Sequence, residues 1–195
     1  MAGLNVRLNQ QDIDTANRLL NGVKNGAKRA ITRTLSRTLD KAATRANQEI
    51  RKDVRLTATY VRGKLLKNKP SFSKPTAILS AEKRGVLLTR YKYRVLAKGK
   101  GVRVWVKQSG SSADMPSAFL VRNLKNSGAD GIALPPGIKA PRDQGITSSG
   151  GTQFDVLHGP SVSQVFTEVK DEIEPEMSAF ATQELLRQID VILGN

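Results

Sequence analysis

A long stretch of apolar residues at helical spacing constrains the fold of this chain more than any other feature. Six apolar side chains recur every three or four residues, which places them on one face of an α-helix: Ile31, Leu35, Leu39, Ala42, Ala46 and Ile50. A shorter pattern of the same kind precedes them, and Gly22 and Gly26 weaken the helix between the two. We therefore predict helix from Asp12 to about Leu56, in two pieces.

The face of this helix opposite the apolar stripe is basic. It carries these Lys and Arg residues: Arg29, Arg33, Arg37, Lys41, Arg45, Arg51, Lys52 and Arg55. The net charge of the 195 residues is +15, but residues 1–110 carry +20 and residues 111–195 carry −5. This asymmetry favours two kinds of partner: a polyanion such as nucleic acid, or a second copy of the chain whose acidic half meets the basic half of the first.

After the helix, the pattern changes from helical spacing to the alternation typical of strands. Thr57-Ala58-Thr59 predicts the start of a short helix that runs through Leu66. Between residues 76 and 107 we predict an antiparallel meander, in which Val102–Lys107 is a half-buried strand that follows a hairpin connection. The basic side chains of this hairpin region are Lys98, Lys100 and Arg103.

The next part of the chain is dominated by Gly, Pro and Ser. We predict a flexible, irregular insertion at about residues 129–152, because so long a run without apolar periodicity is unusual in a compact domain. A last strand is expected at Gln153–Leu157, followed by a turn at His158-Gly159-Pro160-Ser161.

Helical spacing returns from Val162, and Pro175 stands where a final helix can begin. Acidic residues cluster in this region: Glu168, Asp171, Glu172, Glu174 and Glu176. The sequence therefore predicts an α+β fold with a long N-terminal amphipathic helix, a small antiparallel sheet and C-terminal helices. We expect a single domain that spans residues 1–195.

Composition argues against most enzyme chemistry. The chain has no Cys and one His, so it has no disulfides, no thiolate metal site and no multi-histidine zinc centre. Asp155, His158 and Ser161 lie close in sequence, but a catalytic triad is defined by spatial roles, and Ser161 is expected as a helix N-cap. We predict no enzymatic activity, no catalytic residues, no metal site and no cofactor. A small hydrolase that works through His158 is a third hypothesis.

Two further classes are disfavoured by what the sequence lacks. No stretch approaches the about 18 apolar residues of a membrane span, and the N-terminus lacks the apolar region of a secretory signal, so we expect a protein made in the cytoplasm with no membrane partner. Zinc-finger ligands, a helix-turn-helix and a basic region followed by heptads are also missing. Contact with nucleic acid would therefore be through the backbone and not sequence-specific.

Four motifs resemble, in order along nearly the whole chain, the minor tail protein Z family of tailed bacteriophages. They are the basic helix that starts at Gly26-Ala27-Lys28-Arg29, the short segment Val61-Arg62-Gly63-Lys64-Leu65, the segments Pro116-Ser117-Ala118-Phe119-Leu120 and Leu124-Lys125-Asn126-Ser127-Gly128, and the stretch from Phe154 to Phe166. The chain departs from the family pattern at Ala129–Thr152, where it has the long Pro/Gly/Ser insertion.

The resemblance implies a structural protein of the virion that completes the tail of a long-tailed phage. The implied place is the neck at the head-proximal end, between the head–tail connector and the tail terminator, which would be its partners. Neck components of this kind are commonly closed rings, often sixfold, so the resemblance implies a homo-oligomeric ring, a hexamer, with double-stranded DNA in its channel. It brings no catalytic or cofactor residues.

The charge pattern of the sequence and the family resemblance together favour charged surfaces as the binding surfaces of the protein. We predict that the Arg29–Arg55 face or the hairpin Lys98–Lys107 contacts neighbouring subunits or the channel, and that the acidic cluster at residues 168–176 forms the opposing surface. The alternative is a free nucleic-acid-binding protein that acts through its basic N-terminal half, with steep salt dependence.

Overall fold

The structure, a computed structural model, describes residues 3–97, 99–110, 112–125, 127–141, 144–151 and 153–194. These residues form two compact units. The first unit is made of Met1–Gln48, Arg62–Glu82 and Phe166–Asn195, and the second of Glu49–Val61 and Lys83–Val165. That the whole chain acts as a single domain stays a prediction.

Helices and strands are both well represented, and the fold is α+β as predicted. In chain order the elements are β1 (Gly3–Val6), α1 (Gln10–Leu19), α2 (Gly26–Asp53), α3 (Ala58–Lys64), β2 (Leu65–Asn68), β3 (Ala77–Ala81), β4 (Val86–Leu87), a 3-10 turn (Leu88–Arg90), β5 (Lys92–Val95), β6 (Val102–Trp105), β7 (Ala113–Met115), β8 (Phe119–Val121), β9 (Gly131–Leu134), β10 (Thr147–Ser148), β11 (Asp155–Gly159) and α4 (Val162–Leu193).

In the first unit, helices pack around a small apolar core beside a three-stranded antiparallel sheet of order β1-β3-β2. One buried cluster joins residues of α1, α2 and α4 with Leu20, which follows α1: Ala16, Leu20, Ala30, Leu185 and Ile189. The predicted apolar face of α2 is confirmed, because Leu35, Leu39 and Ala42 are buried, as are Ala46 and Ile50. The break before α2 is also where the glycines predicted it.

The second unit contains two antiparallel sheets. One has the order β10-β11-β9-β8, with β4 also paired to β11, and the other has the order β5-β6-β7. Along β6, Val102 and Val104 are buried while Arg103 and Trp105 are partly exposed, which confirms the half-buried strand. The β5–β6 pair confirms the hairpin, although Lys98 in its connection lies outside the described residues.

The prediction of an irregular run at 129–152 is wrong over β9 and β10. All of β9 is buried, and it pairs with β8 on one side and with β11 on the other. Ile132, Ala133 and Leu134 form an apolar run without alternation, as expected of a strand with both faces covered. Gly131 permits this packing, since a Cβ there would lie 2.6 Å from Leu124 Cδ1. Arg142, Asp143 and Thr152 of this stretch lie outside the described residues.

Two boundaries near strands also differ from the predictions. Leu65 and Leu66 do not end a helix but begin β2, where they pair with Ala81 and Ser80. His158 does not lie in a turn: it belongs to β11, where its backbone is opposite Leu87 and Thr147. In both places, strand pairing with a distant segment decides a conformation that local sequence leaves open.

The C-terminal region is one continuous helix, so the prediction of a new helix at Pro175 is wrong. Pro175 lies inside α4, where its missing N–H leaves the carbonyl of Asp171 without the usual helical donor. Apolar residues on both sides of the proline are buried, among them Ile173, Met177 and Ala181. Burial of this stripe outweighs the lost hydrogen bond and keeps the helix continuous through the proline.

Candidate assembly interface

Helices α2 and α4 run antiparallel within the first unit, and ion pairs join them. Arg37 Nε lies 3.3 Å from Glu184 Oε1, and Arg45 Nε lies 3.0 Å from Glu176 Oε2. Lys41 Nζ lies 3.6 Å from Glu176 Oε1 and 4.1 Å from the centre of the Phe180 ring. Three residues predicted for the basic surface therefore bind carboxylates of the same chain, one of which, Glu176, was predicted for the opposing acidic surface.

We call these ion pairs between α2 and α4 the charged seam, and Glu184 is its buried centre. Its carboxylate is 7% exposed and accepts hydrogen bonds from Arg187 Nε and Nη2, both at 2.8 Å, and from Gln188 Nε2 at 2.7 Å. These hydrogen bonds, Arg187 first, hold the pKa of the Glu184 carboxyl below its usual range, while the pKa of Arg187 is raised. Glu184 was not among the residues predicted from the sequence, although its spacing from Met177 and Ala181 puts it on the buried side of α4.

A groove opens beside this seam, where the N-terminal part of α2 lies next to the C-terminal part of α4. Its volume is about 330 Å³. It is lined by Thr32, Arg33, Ser36, Arg37, Arg187, Gln188 and Val191, and we call it the arginine groove. Guanidinium groups bind carboxylates and phosphates through planar, paired hydrogen bonds, so the groove is suited to an anionic group.

The three arginines of the groove are not equally engaged. Arg37 and Arg187 share the carboxylate of Glu184. Arg33 is exposed and has no ion-pair partner among the described residues, and the same is true of Arg29, which lies one turn earlier on α2 and outside the groove. The free positive charge of the groove is therefore centred on Arg33.

The basic residues at the end of α2 belong to the second unit and bind other residues of that unit. Arg51 Nε donates to the Leu56 carbonyl at 3.3 Å. Arg55 donates from Nε to the Lys107 carbonyl at 3.0 Å and from Nη2 to the Gln108 carbonyl at 3.1 Å. Lys52 Nζ lies 2.8 Å from Glu49 Oε1. Arg51 and Arg55 thus fix the chain that follows α2 and strand β6.

Among the described residues of the hairpin region, Lys100 is exposed and Arg103 is paired. Arg103 donates two hydrogen bonds to Asp114 on β7, at 2.5 and 2.6 Å, which lower the pKa of the Asp114 carboxyl. Strand β5 adds two residues that the sequence analysis did not name: Lys92, whose Nζ lies 5.1 Å from the Trp105 ring centre, and Arg94, opposite Arg103 in the sheet. Lys92 and Arg94 alternate with Tyr93 and Val95 along β5, and this pattern would have predicted that the two basic residues share one face of the strand.

The remaining acidic residues lie on the exposed side of α4. Asp171 and Glu172 follow Glu168 by three and four residues, which places both on the same side of the helix as Glu168, and we call these three residues the acidic face. Asp171 Oδ1 lies 3.8 Å from Lys170 Nζ, and Glu168 and Glu172 have no ion-pair partner among the described residues. Glu174 lines a different groove, beside residues 4–7 of β1 and the segment that follows it.

The Asp155, His158 and Ser161 trio is engaged in local structure. Asp155 Oδ1 accepts from the Gly151 N–H at 2.7 Å. Ser161 Oγ accepts from the Gln164 N–H at 3.1 Å, while Gln164 Oε1 accepts from the Ser161 N–H at 2.7 Å. This reciprocal pair is a capping box and confirms Ser161 as the N-cap of α4. His158 is partly buried, and burial lowers its pKa.

The described part of the chain also gives two negative findings. It contains no cluster of three or more His, Asp or Glu residues placed to hold a metal ion. None of its helices has a segment both long enough and apolar enough to cross a bilayer.

The described residues define an α+β protein whose charged side chains form ion pairs between helices, a groove and exposed faces. A family model described as prophage minor tail protein Z (GPZ) matches residues 11–194, nearly the whole chain. The chain therefore belongs to the prophage minor tail protein Z family, and it is a structural protein of a phage tail, part of the virion. No curated protein sequence and no solved structure matches it significantly.

Proposed function

We propose that the protein completes the phage tail as a neck component, a ring at the head-proximal end between the head–tail connector and the tail terminator. Membership of the minor tail protein Z family carries this proposal, since the match spans residues 11–194. The charge distribution supports it: the arginine groove and the acidic face give the chain exposed charges of both signs, which orient copies at an interface. The ring is a hexamer, and tail terminator and connector proteins are its neighbours.

In this proposal the protein performs no catalysis. The side chains that could suggest it have structural partners: Asp155 accepts from a backbone N–H, and Ser161 forms a capping box with Gln164. The work of the protein is to bind its own copies and the adjoining tail proteins.

Double-stranded DNA passes through the ring in this proposal, and its contact with the protein is not sequence-specific. Exposed basic residues that bind no carboxylate among the described residues supply that contact, such as Arg29, Lys100 and Arg94. Such contacts position the phosphate backbone but carry no sequence information.

Deletion and complementation test the tail-completion role. The gene is deleted from the prophage, and particles are induced with and without the chain supplied in trans. We expect the deletion to yield heads and tails that fail to join into infectious particles, and the supplied chain to restore joining and to be present in purified tails. Normal infectious particles without the chain would overturn the proposal.

The competing function, a free nucleic-acid-binding protein, is tested on the purified chain. It predicts tight binding to any duplex, with affinity that falls steeply as salt rises. The tail-completion role predicts a discrete oligomer, alone or on purified tails after nuclease treatment at moderate salt, with weak duplex affinity. A monomer that binds duplex tightly and is missing from tails would favour the competing function.

A further inference from the structure

Two charged surfaces of the first unit have opposite signs and are left largely unneutralised within the described part of the chain. The arginine groove has three guanidinium groups and one bordering carboxylate, Glu184, so its net charge is positive. The acidic face has three carboxylates with one lysine, Lys170, at 3.8 Å from Asp171. Elsewhere in this unit, Lys67 binds Asp40 and Lys64 binds Glu82, so these two carboxylates are already engaged.

The two surfaces lie far apart on the same helix. From Glu172 to Arg187 is about 22 Å along α4, and from Glu168 to Arg187 about 28 Å, at 1.5 Å per residue. An ion pair requires the charged atoms to approach within about 4 Å. The acidic face of one copy therefore cannot reach the arginine groove of that same copy.

We infer that the acidic face of one copy docks into the arginine groove of the next. This inference rests on the proposed function, in which copies of the chain assemble with one another. Glu168 or Glu172 binds Arg33, whose guanidinium has no ion-pair partner among the described residues, and the second carboxylate lies near Arg37. Because the contact joins different surfaces of the two copies, it is heterologous, and repetition around an axis closes it into a ring.

The lining of the groove favours a protein side chain over a phosphate backbone as the occupant. Glu184 stands at its border and already engages Arg37 and Arg187, so a polyanion would bring phosphates close to a fixed carboxylate. Val191 lines the groove and is half exposed, which suits burial against another protein surface. A helix that presents single carboxylates three and four residues apart matches this arrangement better than continuous phosphate charge.

Charge reversal on the full-length chain tests the inference. Arg33→Glu, or Glu168→Lys with Glu172→Lys, is expected to weaken self-association on the order of 100-fold, because like charges then face each other. All three changes in one chain restore complementary charges and are expected to restore association to near the wild-type value. Oligomer size is measured by sedimentation velocity and native mass after nuclease treatment, with circular dichroism to verify folding.

Matched controls lie on the same helices. Lys28→Glu reverses an exposed charge near the start of α2, outside the groove, and Glu174→Lys reverses an exposed charge outside the acidic face. Both are expected to leave association nearly unchanged. The inference is overturned if the Arg33 and Glu168/Glu172 variants assemble like the wild type, or if the folded combined variant stays dissociated. Loss of duplex binding with no change in oligomer size would instead identify nucleic acid as the occupant of the groove, which also overturns it.

A cross-link places the contact on assembled tails and separates this inference from the proposed function. The chain has no Cys, so Ser36→Cys in the groove and Thr167→Cys beside the acidic face introduce the only thiols and leave its carboxylates in place. A short bismaleimide is expected to link the double variant in purified tails into a ladder of several copies, while each single variant gives dimers at most. Tails that contain the chain but give no ladder overturn the inference and leave the proposed function standing. Tails without the chain overturn the proposed function itself.

Discussion

Replacement of Glu184 by Gln tests the charged seam between α2 and α4. The side chain keeps its size, and with the new NH₂ group at the position of Oε2 it faces only the Arg187 Nε donor, while the remaining oxygen still accepts from Arg187 Nη2 and Gln188 Nε2. One charge-assisted hydrogen bond is lost, which typically contributes about 1.5–3 kcal/mol. Arg187 is 47% exposed and regains water, so we expect the free energy of unfolding to fall by about 2 kcal/mol at pH 7.

The pH dependence of this effect has a definite sign. The folded-state pKa of the Glu184 carboxyl is lowered, so its stabilising contribution is fully present above the unfolded value of about 4.3. It is lost as the pH falls through the lower folded-state value. The difference between wild type and Glu184→Gln is therefore expected to be constant near neutral pH and to shrink below about pH 4.

Urea denaturation followed by far-UV circular dichroism measures both effects, since the two long helices dominate that signal. The matched control is Glu172→Gln, which removes an exposed carboxylate of the same helix and is expected to change stability by less than about 0.5 kcal/mol. A Glu184→Gln variant as stable as this control at pH 7 would refute the stabilising role of the Glu184 carboxylate. A difference in stability that persists unchanged at pH 3 would refute it as well.

Three further substitutions are tested in the same urea assay. Gly159→Ala is expected to cost about 1–3 kcal/mol, because the new Cβ would lie 2.6 Å from the ring of buried Tyr91; wild-type stability would contradict this packing. Ser161→Ala removes the N-cap of α4 and is expected to cost about 1 kcal/mol, with Ser161→Thr as a control that retains most of it. Gly63→Ala, on α3 with open space around it, is expected to stabilise by about 0.5 kcal/mol, and a loss of stability would show that the space is occupied.

Periodicity alone was sufficient to predict the longest element of the N-terminal half. Leu35, Leu39 and Ala46 repeat at helical spacing and are buried, and the flanking glycines fix where α2 begins. Alternation along β6 predicted a half-buried strand in the same way. In these places local sequence and tertiary packing favour the same conformation.

The wrong predictions lie where packing or pairing with a segment distant in sequence determines the local conformation. The run Ile132-Ala133-Leu134 is too short to show a period, and only the strands on both sides of β9 make it part of a sheet. Pro175 normally starts or breaks a helix, but the buried stripe around it keeps α4 continuous.

The candidate interface was predictable only in part. The uneven distribution of charge along the sequence separates a basic half from an acidic half, but it does not show which charged side chains bind each other within one chain. Arg37, Lys41 and Arg45 do so, and this leaves Arg33 as the free basic residue of the groove. The groove itself combines residues of α2 and α4 that are about 150 positions apart in sequence, so no local motif marks it.

The location of the chain on the tail tests the central claim most directly. Immunogold labelling with an antibody against the chain is performed on intact particles and on tails freed from their heads, with particles of the deletion strain as the control. Labelling confined to the head-proximal end of free tails is the result predicted here. Labelling at the distal tip, along the tube or nowhere on the tail would contradict the claim that this protein completes the tail at the neck.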